Sequence, residues 1–448
     1  MLRIPATLAC LLLIFVAFFR DRRVTRELSK GLWIPVLWLM ILSSKPVTQW
    51  LMIGGSDTVD AVESGSPIDR AVFSAMIGAA IVLLLAQRRN WRLIIAGNRW
   101  IAALMLFAAV SVLWSDNPLL AFKRWVRAAG TAIVVLTALT ETDPGWASQT
   151  VIRRVSFLLV PLSPLLIRYY DIGVGWDDYG TRALLGVTNN KNTLGRVGMM
   201  ATLYFLWLLL NSKEHEKDGR SFGLVLPAVY LGASVWILTA VNSATALVCA
   251  SMGSVILLLY RFVGIQRLWA RILVYVVIPL WVVFVLAGGS LGTYAGLVGR
   301  DATLTGRTDL WAELLEMGGN ALVGTGYGSF WAGDRLRTLW ERHWWKPMEA
   351  HNGFLEIYLE LGLVGLAILL GVLVSAFRRV EQRLTATSGE AGLHFAVFVM
   401  FLFYNVTESA TSLVAMMWFI FLLFSMGVVA DRREMLRSTS RSAAGFGA

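Results

Sequence analysis

Long apolar stretches dominate the chain and are separated by short polar segments. An α-helix needs about 20 apolar residues to cross a hydrocarbon core of roughly 30 Å. The pattern predicts about twelve to thirteen membrane-spanning helices, at residues 4–19, 31–44, 71–86, 99–114, 125–140, 155–168, 197–211, 223–240, 244–260, 272–290, 359–377, 392–406 and 412–430. We therefore expect an all-α polytopic membrane protein whose residues 1–448 form a single integral membrane domain.

Composition excludes a soluble globular protein. The chain is 57% hydrophobic and 15% charged, with a mean hydropathy of +0.64, whereas soluble proteins average about 25% charged residues. A net charge of +11 would suggest nucleic acid as the partner of a soluble protein. Here most of that charge lies in loops between predicted spans, so no nucleic-acid partner is expected. Cys10 and Cys249 lie inside apolar runs, which predicts no disulfide.

The distribution of Lys and Arg predicts the orientation of the spans. The first span is followed by the basic segment RDRRVTRELSK, whereas a cleaved signal peptide carries its positive charge before the apolar core. Placing this segment in the cytoplasm puts 23 Lys and Arg on the inner side, in loops 20–30, 87–92, 141–154, 212–222, 261–271, 378–391 and 431–448. The outer segments hold 16, of which six lie in the long loop 291–352. We expect this loop to face the periplasm and the tail 431–448 to be cytoplasmic.

One segment departs from this rule. Lys123, Arg124 and Arg127 follow the sequence WSDNP on the side assigned as outside. Either a helix is misplaced, or the side chains extend to lipid headgroups, or outward-facing cations hold an anionic group.

The long outer loop carries the first candidate chemistry. Residues 308–316 predict a helix with Thr308 as its N-cap, ended by Gly318 and Gly319. This helix would lie in the membrane interface or cap the helix bundle. The segment Gly324–Gly328 lacks a preceding strand and a following GK[ST], so a tight turn is favoured over a nucleotide site.

His351 follows this loop, beside Glu349 and Asn352 and before the next apolar run. A histidine at the mouth of a helix can exchange protons near neutral pH. It can equally make a single structural hydrogen bond to a loop carbonyl.

The loop 169–196 carries polar residues of two kinds. Asp177 and Asp178 are adjacent but lack an evident third ligand, so no metal site is expected. Arg182 follows, and then the run NNKN places Lys191 among amides. Such a run suits sugar hydroxyls or a phosphate, but it is also ordinary turn chemistry.

With these segments assembled, the chain resembles the O-antigen ligase and O-antigen polymerase family, which includes exopolysaccharide polymerases of Gram-negative bacteria. The resemblance covers residues 100–430 and rests on three motifs of the late loop, in order: TGRTDLW at 305–311, NALVGTGYGSF at 320–330 and AHNGFLEIYLELGLVG at 350–365. The upstream segments WSDNPLLAFKRWVR and GVTNNKNTLG match as well.

The resemblance implies a multi-pass protein of the bacterial inner membrane with a fold like that of C-type glycosyltransferases and an active face in the periplasm. It implies transfer of a glycan from undecaprenyl pyrophosphate, either to the next lipid-linked repeat unit or to lipid A-core. Neither a nucleotide sugar nor a metal or other cofactor is implied. Membrane lipid and a chain-length regulator are the further partners expected.

The same resemblance implies roles for individual residues. Arg307, with Arg300, would stabilise the departing pyrophosphate, and Arg124 or Lys191 would supply a second cation. His351 would accept the proton of the attacking hydroxyl. The remaining residues expected to bind pyrophosphate or glycan are Arg182, Glu349 and Asn352.

The chain departs from the family near residue 243. Ligases commonly carry a Ser-Arg pair there, whereas this chain reads Asn242-Ser243-Ala244-Thr245. The missing arginine favours the polymerase branch, with Lys191 as its substitute. A transporter or flippase is the alternative class, but transporters place ionisable groups at mid-membrane, and the predicted span centres hold few charges.

Overall fold

The computed structural model describes residues 2–52, 65–87, 89–176, 181–265, 267–279, 305–385 and 389–427, without the side chains of 305–308 and 385. Helices make up most of this part of the chain. Its first half contains α1 (Arg3–Val24), α2 (Trp33–Leu42), α3 (Val47–Trp50), α4 (Pro67–Ala86), α5 (Trp91–Gly97), α6 (Arg99–Val110), α7 (Pro118–Leu139), α8 (Pro144–Tyr169) and α9 (Lys191–Leu210). Its second half contains α10 (Ser212–Lys217), α11 (Val225–Val241), α12 (Ala244–Phe262), α13 (Arg267–Ile272), α14 (Thr305–Glu316), α15 (Gly333–Arg342), α16 (Gly353–Thr385), α17 (Gly389–Thr407) and α18 (Met416–Ser425).

These helices confirm the predicted all-α polytopic class. Seven of the described helices are long and apolar enough to cross a membrane, and an eighth is possible if the bent pair Trp91–Gly97 and Arg99–Trp114 is one span. The larger predicted number also includes three shorter apolar helices, the cation-bearing helix α7, and residues 272–290, which are described only to 279. A two-stranded antiparallel hairpin, β1 (Val174–Trp176) with β2 (Arg182–Leu184), lies between α8 and α9.

Several described loops that were predicted on the same side of the membrane contact one another. Loops assigned to the inner side contact one another: Ser29 binds Glu141, Arg220 binds Asp143 at 2.8 Å and Arg261 binds Glu214 at 3.3 Å. Loops assigned to the outer side do the same, for example through the 2.9 Å hydrogen bond from the Lys45 amide to the carbonyl of Val187. These contacts agree with the predicted alternation for the loops they join, while the side of the membrane stays a prediction.

The prediction of an inner loop over residues 141–154 is wrong. Helix α8 begins at Pro144, capped by Asp143, and continues to Tyr169. Arg153 and Arg154 are buried in it, and both bind Asp21 of α1 at 2.6 Å. The sequence does not show that these arginines belong to the helix, because two arginines next to an apolar run are typical of a loop. Their carboxylate partner lies 132 residues earlier in the chain.

Helix α16 is broken where the glycine-rich turn meets it. Gly362 has φ 64° and ψ −163°, a conformation that favours glycine. The break frees the carbonyls of Leu359 and Glu360, which accept hydrogen bonds of 3.0 and 2.9 Å from the amides of Thr325 and Gly326. Backbone groups inside a membrane protein need such internal partners. The turn at 324–328 is therefore packed against a broken membrane helix.

The outer loop has a small hydrophobic core of its own. Leu310 and Leu314 of α14 are buried with Phe330, Leu336 and Leu339. Of the two predicted places for this helix, the structure supports the one in which it caps the bundle. The helix begins at Thr305, three residues before the predicted N-cap Thr308.

Candidate active site

The segment 115–127 docks onto the outer loop. Ser115 donates a hydrogen bond of 3.0 Å to Ser329, and Asp116 pairs with Arg335 at 3.0 Å. Arg124, in the second turn of α7, donates to the carbonyls of Gly328 and Trp331. Its guanidinium therefore holds the glycine-rich turn in place.

This contact borders a cavity of about 250 Å³, here called the acidic cavity. Its walls include Arg124 and Arg127 from α7 and Glu356 and Glu360 from α16. Glu356 is buried and satisfied, since Trp331 Nε1 donates to Oε2 at 2.7 Å and the Ala350 amide donates to Oε1. The walls thus combine carboxylates, guanidinium groups and an aromatic ring, the side chains that commonly bind sugars.

A second cavity, of about 410 Å³, lies at the start of α9 and is here called the basic cavity. Asn190 caps this helix by accepting a 2.7 Å hydrogen bond from the amide of Thr193. Lys191 and Arg196 both line the cavity. Nε of Arg196 is buried and has no hydrogen-bond partner among the described residues. Two cations at a helix N-terminus favour an anionic ligand.

The two cavities share two wall residues, Met348 and Glu349. His351 lines the basic cavity next to this shared wall. Its Nδ1 lies 3.1 Å from Oε1 of Glu349 and 3.1 Å from Oε2 of Glu408. A proton-exchanging cluster thus sits where the acidic and basic cavities meet.

The carboxylates change the expected charge of His351. Burial alone would lower its pKa, but the hydrogen bonds to Glu349 and Glu408 outweigh burial and raise the pKa to about 10. In this geometry the imidazole is protonated at neutral pH and cannot accept a further proton. The backbone of His351 is also in the left-handed region, with φ 50°, a strained conformation that is commoner at functional sites.

The same three residues could hold a metal ion by composition, because their ligand atoms lie within 4.8 Å of one another. Arg196 interacts electrostatically with both Glu349 and Glu408. A guanidinium group therefore adds positive charge beside these two carboxylates.

The structure brings together only part of the predicted site. Lys191, Glu349 and His351 line one cavity, and Arg124 lines the next. Arg300 lies outside the described residues. The backbone of Arg307 lies in the first turn of α14, but its side chain is outside the description.

Two further predicted residues have other surroundings. Arg182 is exposed on β2, opposite Trp176, and does not line either cavity. Asn352 is buried, and its Oδ1 accepts hydrogen bonds of 3.0 and 3.2 Å from the amides of Phe354 and Leu355. Asn352 therefore caps the first turn of α16.

Arg196 and Glu408 are missing from the predicted set. Arg196 borders a predicted span, where a single cation looks like a membrane anchor. Glu408 lies between two predicted spans in the short segment TESATS, and its pairing with His351 joins residues 57 positions apart. The sequence feature that could have identified Glu408 is its position as an acidic residue at the end of an apolar span.

A known protein family and a known protein have sequences similar to this chain. Residues 227–370 match the O-antigen ligase family. This match includes the glycine-rich turn, His351 and the first part of α16 with its break at Gly362. Together with the apolar helices, this similarity supports a multi-pass membrane protein that resembles the O-antigen ligase family.

A second match extends over more of the chain. The exopolysaccharide production protein ExoQ of Rhizobium meliloti (strain 1021) is 28% identical over 316 residues, which cover 68% of this chain and 70% of that protein. Both matches support similarity to an O-antigen ligase/polymerase-like family of exopolysaccharide and O-antigen biosynthesis. The family points to a glycosyltransferase-like enzyme with lipid-linked glycan substrates.

Proposed function

We propose that this protein polymerises oligosaccharide repeat units carried on undecaprenyl pyrophosphate, by inverting glycosyl transfer at the periplasmic face of the bacterial inner membrane. The observation that carries the proposal is the shared wall of the acidic and basic cavities at Glu349, with the His351 cluster beside it. Donor and acceptor would enter from opposite sides of this wall. Their reacting atoms would then meet at the cluster.

The basic cavity would hold the pyrophosphate of the donor. Lys191, Arg196 and the amides that begin α9 would contact its oxygens, since charge-assisted hydrogen bonds from such donors stabilise phosphate strongly. As the glycosidic bond breaks, the leaving pyrophosphate takes the electron pair. Cations already in place would stabilise the charge that develops. Arg307 and Arg300 stay proposed contributors from the preceding segment.

The acidic cavity would hold the acceptor glycan. Glu360, Trp331 and Arg127 line it together with Arg124. The acceptor hydroxyl would attack the anomeric carbon opposite the pyrophosphate, which inverts that centre. Its proton would pass to the Glu349–His351–Glu408 cluster.

The proposed role of His351 is more specific than that of a lone base. At neutral pH it carries a proton shared with Glu349 and Glu408. The proton of the acceptor would therefore go to a carboxylate of the cluster, or to His351 after it has passed its own proton to one. Either route leaves positive charge beside the leaving group.

The position of Lys191 supports its use in place of the missing arginine. Ser243, in the segment where ligases commonly carry Ser-Arg, has its Oγ 3.4 Å from Oδ1 of Asn192. Lys191 is the residue before Asn192. A cation at 191 can therefore serve the same part of the cavity as one at the start of α12.

Transfer to lipid A-core is the second candidate, because the family match carries the description O-antigen ligase. Glycan analysis of a deletion strain separates the two functions. Short, unpolymerised lipid-linked units would indicate the polymerase, and long free polymer that never joins lipid A-core would indicate the ligase. Repeat units that stay on the cytoplasmic side would contradict both and support transport.

A further inference from the structure

A large apolar groove lies apart from the two cavities of the proposed active site. It has a volume of about 540 Å³, within the range of about 300–1,000 Å³ that is typical of small-molecule sites. Three helices form it: α1 contributes Ala9 and Cys10, α8 contributes Pro161 and Pro164, and α11 contributes Ala233.

The sequence explains why these helices leave a gap. Alanines at the facing positions of α1 and α11 supply little volume. The two prolines of α8 lack an amide hydrogen and disturb regular helix packing. Helix α1 also lies at the periphery of the bundle, since among its 22 residues only Cys10, Ala17 and Asp21 are buried.

The groove ends beside cations. Arg168 and Tyr169, the last residues of α8, line it. The next residue, Tyr170, has its hydroxyl 3.0 Å from that of Thr7, and Arg3 stacks on its ring at 3.9 Å from the centroid. Arg3 and Arg168 thus lie at one mouth of an otherwise apolar groove, the arrangement expected for a lipid with an anionic head.

The mouth of the groove is close to the basic cavity. Tyr169 of the groove and Trp176 of the basic cavity are joined by one short segment that includes β1. The loop before α9 packs directly on α8, because a Cβ at Gly186 would meet Ser163 at 2.9 Å. Ser163 lies between the two groove prolines. The groove and the basic cavity therefore border the same contact, which is formed between α8 and the loop before α9.

From this juxtaposition we infer that the groove binds the polyprenyl chain of the lipid-linked donor while its pyrophosphate occupies the basic cavity. This inference rests on the proposed function. Arg3 and Arg168 guide the headgroup past the mouth, and Lys191 and Arg196 receive it. The methyl-branched chain fills the space that the alanines and prolines leave open.

Cys10 provides a direct binding test. In a full-length Cys249→Ser protein in lipid nanodiscs, it is the only cysteine. Undecaprenyl pyrophosphate is expected to slow alkylation of Cys10 about tenfold, whereas added dioleoylphosphatidylglycerol leaves the rate unchanged. Equal protection by both lipids, or none by either, overturns the inference.

Turnover provides the second test. Ala233→Trp fills the groove, whereas Val235→Trp on the same helix adds a ring at an exposed position and is the control. With an undecaprenyl-linked donor, Ala233→Trp is expected to raise KM about tenfold, while a farnesyl-linked donor is used equally by both variants. Equal KM values with the undecaprenyl donor overturn the inference.

The two tests separate this inference from the proposed function. One outcome is that Cys10 is protected although the protein, with its active-site residues unchanged, transfers no glycan. That outcome would support lipid binding in the groove and contradict the proposed glycosyltransferase activity. The other outcome is glycan transfer without protection of Cys10 and without an effect of Ala233→Trp. It would support the proposed glycosyltransferase activity and contradict polyprenyl binding in the groove.

Discussion

His351 and Glu408 are 57 residues apart in sequence, yet Nδ1 of the histidine lies 3.1 Å from Oε2 of the glutamate. This pairing joins the outer loop to the segment between α17 and α18. It sets the charge of the histidine at the wall between the two cavities.

Glu408→Gln is expected to lower the rate of glycan transfer about 10²–10³-fold, because it removes one carboxylate of the proton-accepting cluster. The chain offers a matched control in Glu313→Gln. Glu313 pairs with His343 at 2.6 Å in the outer loop, away from both cavities. Initial rates with lipid-linked repeat units measure both variants, and equal losses would show that any broken His–Glu pair harms the fold.

The stabilising effect of His351 is expected to depend on pH. Its pKa is raised from 6.5 to about 10 in the folded protein, so its contribution is full near pH 6.5 and is lost as pH rises through 10. The melting-temperature difference between wild type and His351→Gln should therefore shrink steadily from pH 6.5 to pH 10. A difference that stays constant over that interval would show that the folded-state pKa is not raised.

Lys191→Ala and Arg196→Gln are each expected to lower kcat/KM about 10²-fold or more through weaker stabilisation of the leaving pyrophosphate. Arg182→Ala, on the exposed hairpin, should keep wild-type kinetics. Ala244→Arg should restore part of the activity of Lys191→Ala, since it returns a cation to the start of α12. Loss of activity in Arg182→Ala alone would place the pyrophosphate at the hairpin instead.

Asp21→Ala is expected to destabilise the protein by about 3–5 kcal/mol, because it leaves the guanidinium groups of Arg153 and Arg154 buried without their carboxylate. The exposed pair of Arg261 with Glu214 is the comparison. Arg261→Ala should cost about 0–1 kcal/mol. Thermal unfolding in nanodiscs measures both, and similar melting temperatures for the two variants would contradict the importance of the buried group.

Gly362→Ala is expected to destabilise the broken helix. Its φ of 64° costs about 1–3 kcal/mol for a residue with a side chain, and the added Cβ would lie 2.3 Å from the backbone of Leu322. Gly232→Ala, in α11 with no atom within 4 Å of the new Cβ, should be neutral or stabilising. A Gly362→Ala protein as stable as wild type would show that the break does not need glycine.

The sequence predicts the positions of the helices better than the side-chain and backbone contacts between them. The long apolar runs located the helices, since each predicted span overlaps an observed helix wherever the chain is described. It could not predict that Arg153 and Arg154 enter the bundle, because their partner Asp21 looked like part of a basic loop. The break at Gly362 was hidden for a related reason, since its conformation depends on backbone partners some 40 residues earlier.

In the candidate site, too, the sequence predicted individual residues but not the contacts between them. His351, Glu349 and Lys191 were predicted individually from residue type and family resemblance, and the structure adds their common cavity. Glu408 and Arg196 could be recognised only through contacts that join distant segments. Arg182 and Asn352 are of residue types that often bind ligands. In the structure, however, Arg182 is exposed on the hairpin and Asn352 caps a helix.

Glycan transfer by purified protein in liposomes tests the central claim most directly. Wild type is expected to convert undecaprenyl-pyrophosphate-linked repeat units into longer lipid-linked glycan and to release one undecaprenyl pyrophosphate for each bond formed. His351→Gln should lose this activity while remaining folded, and His343→Gln should keep it. Polymer formation by His351→Gln and Glu349→Gln at the wild-type rate would contradict the assignment of the active site.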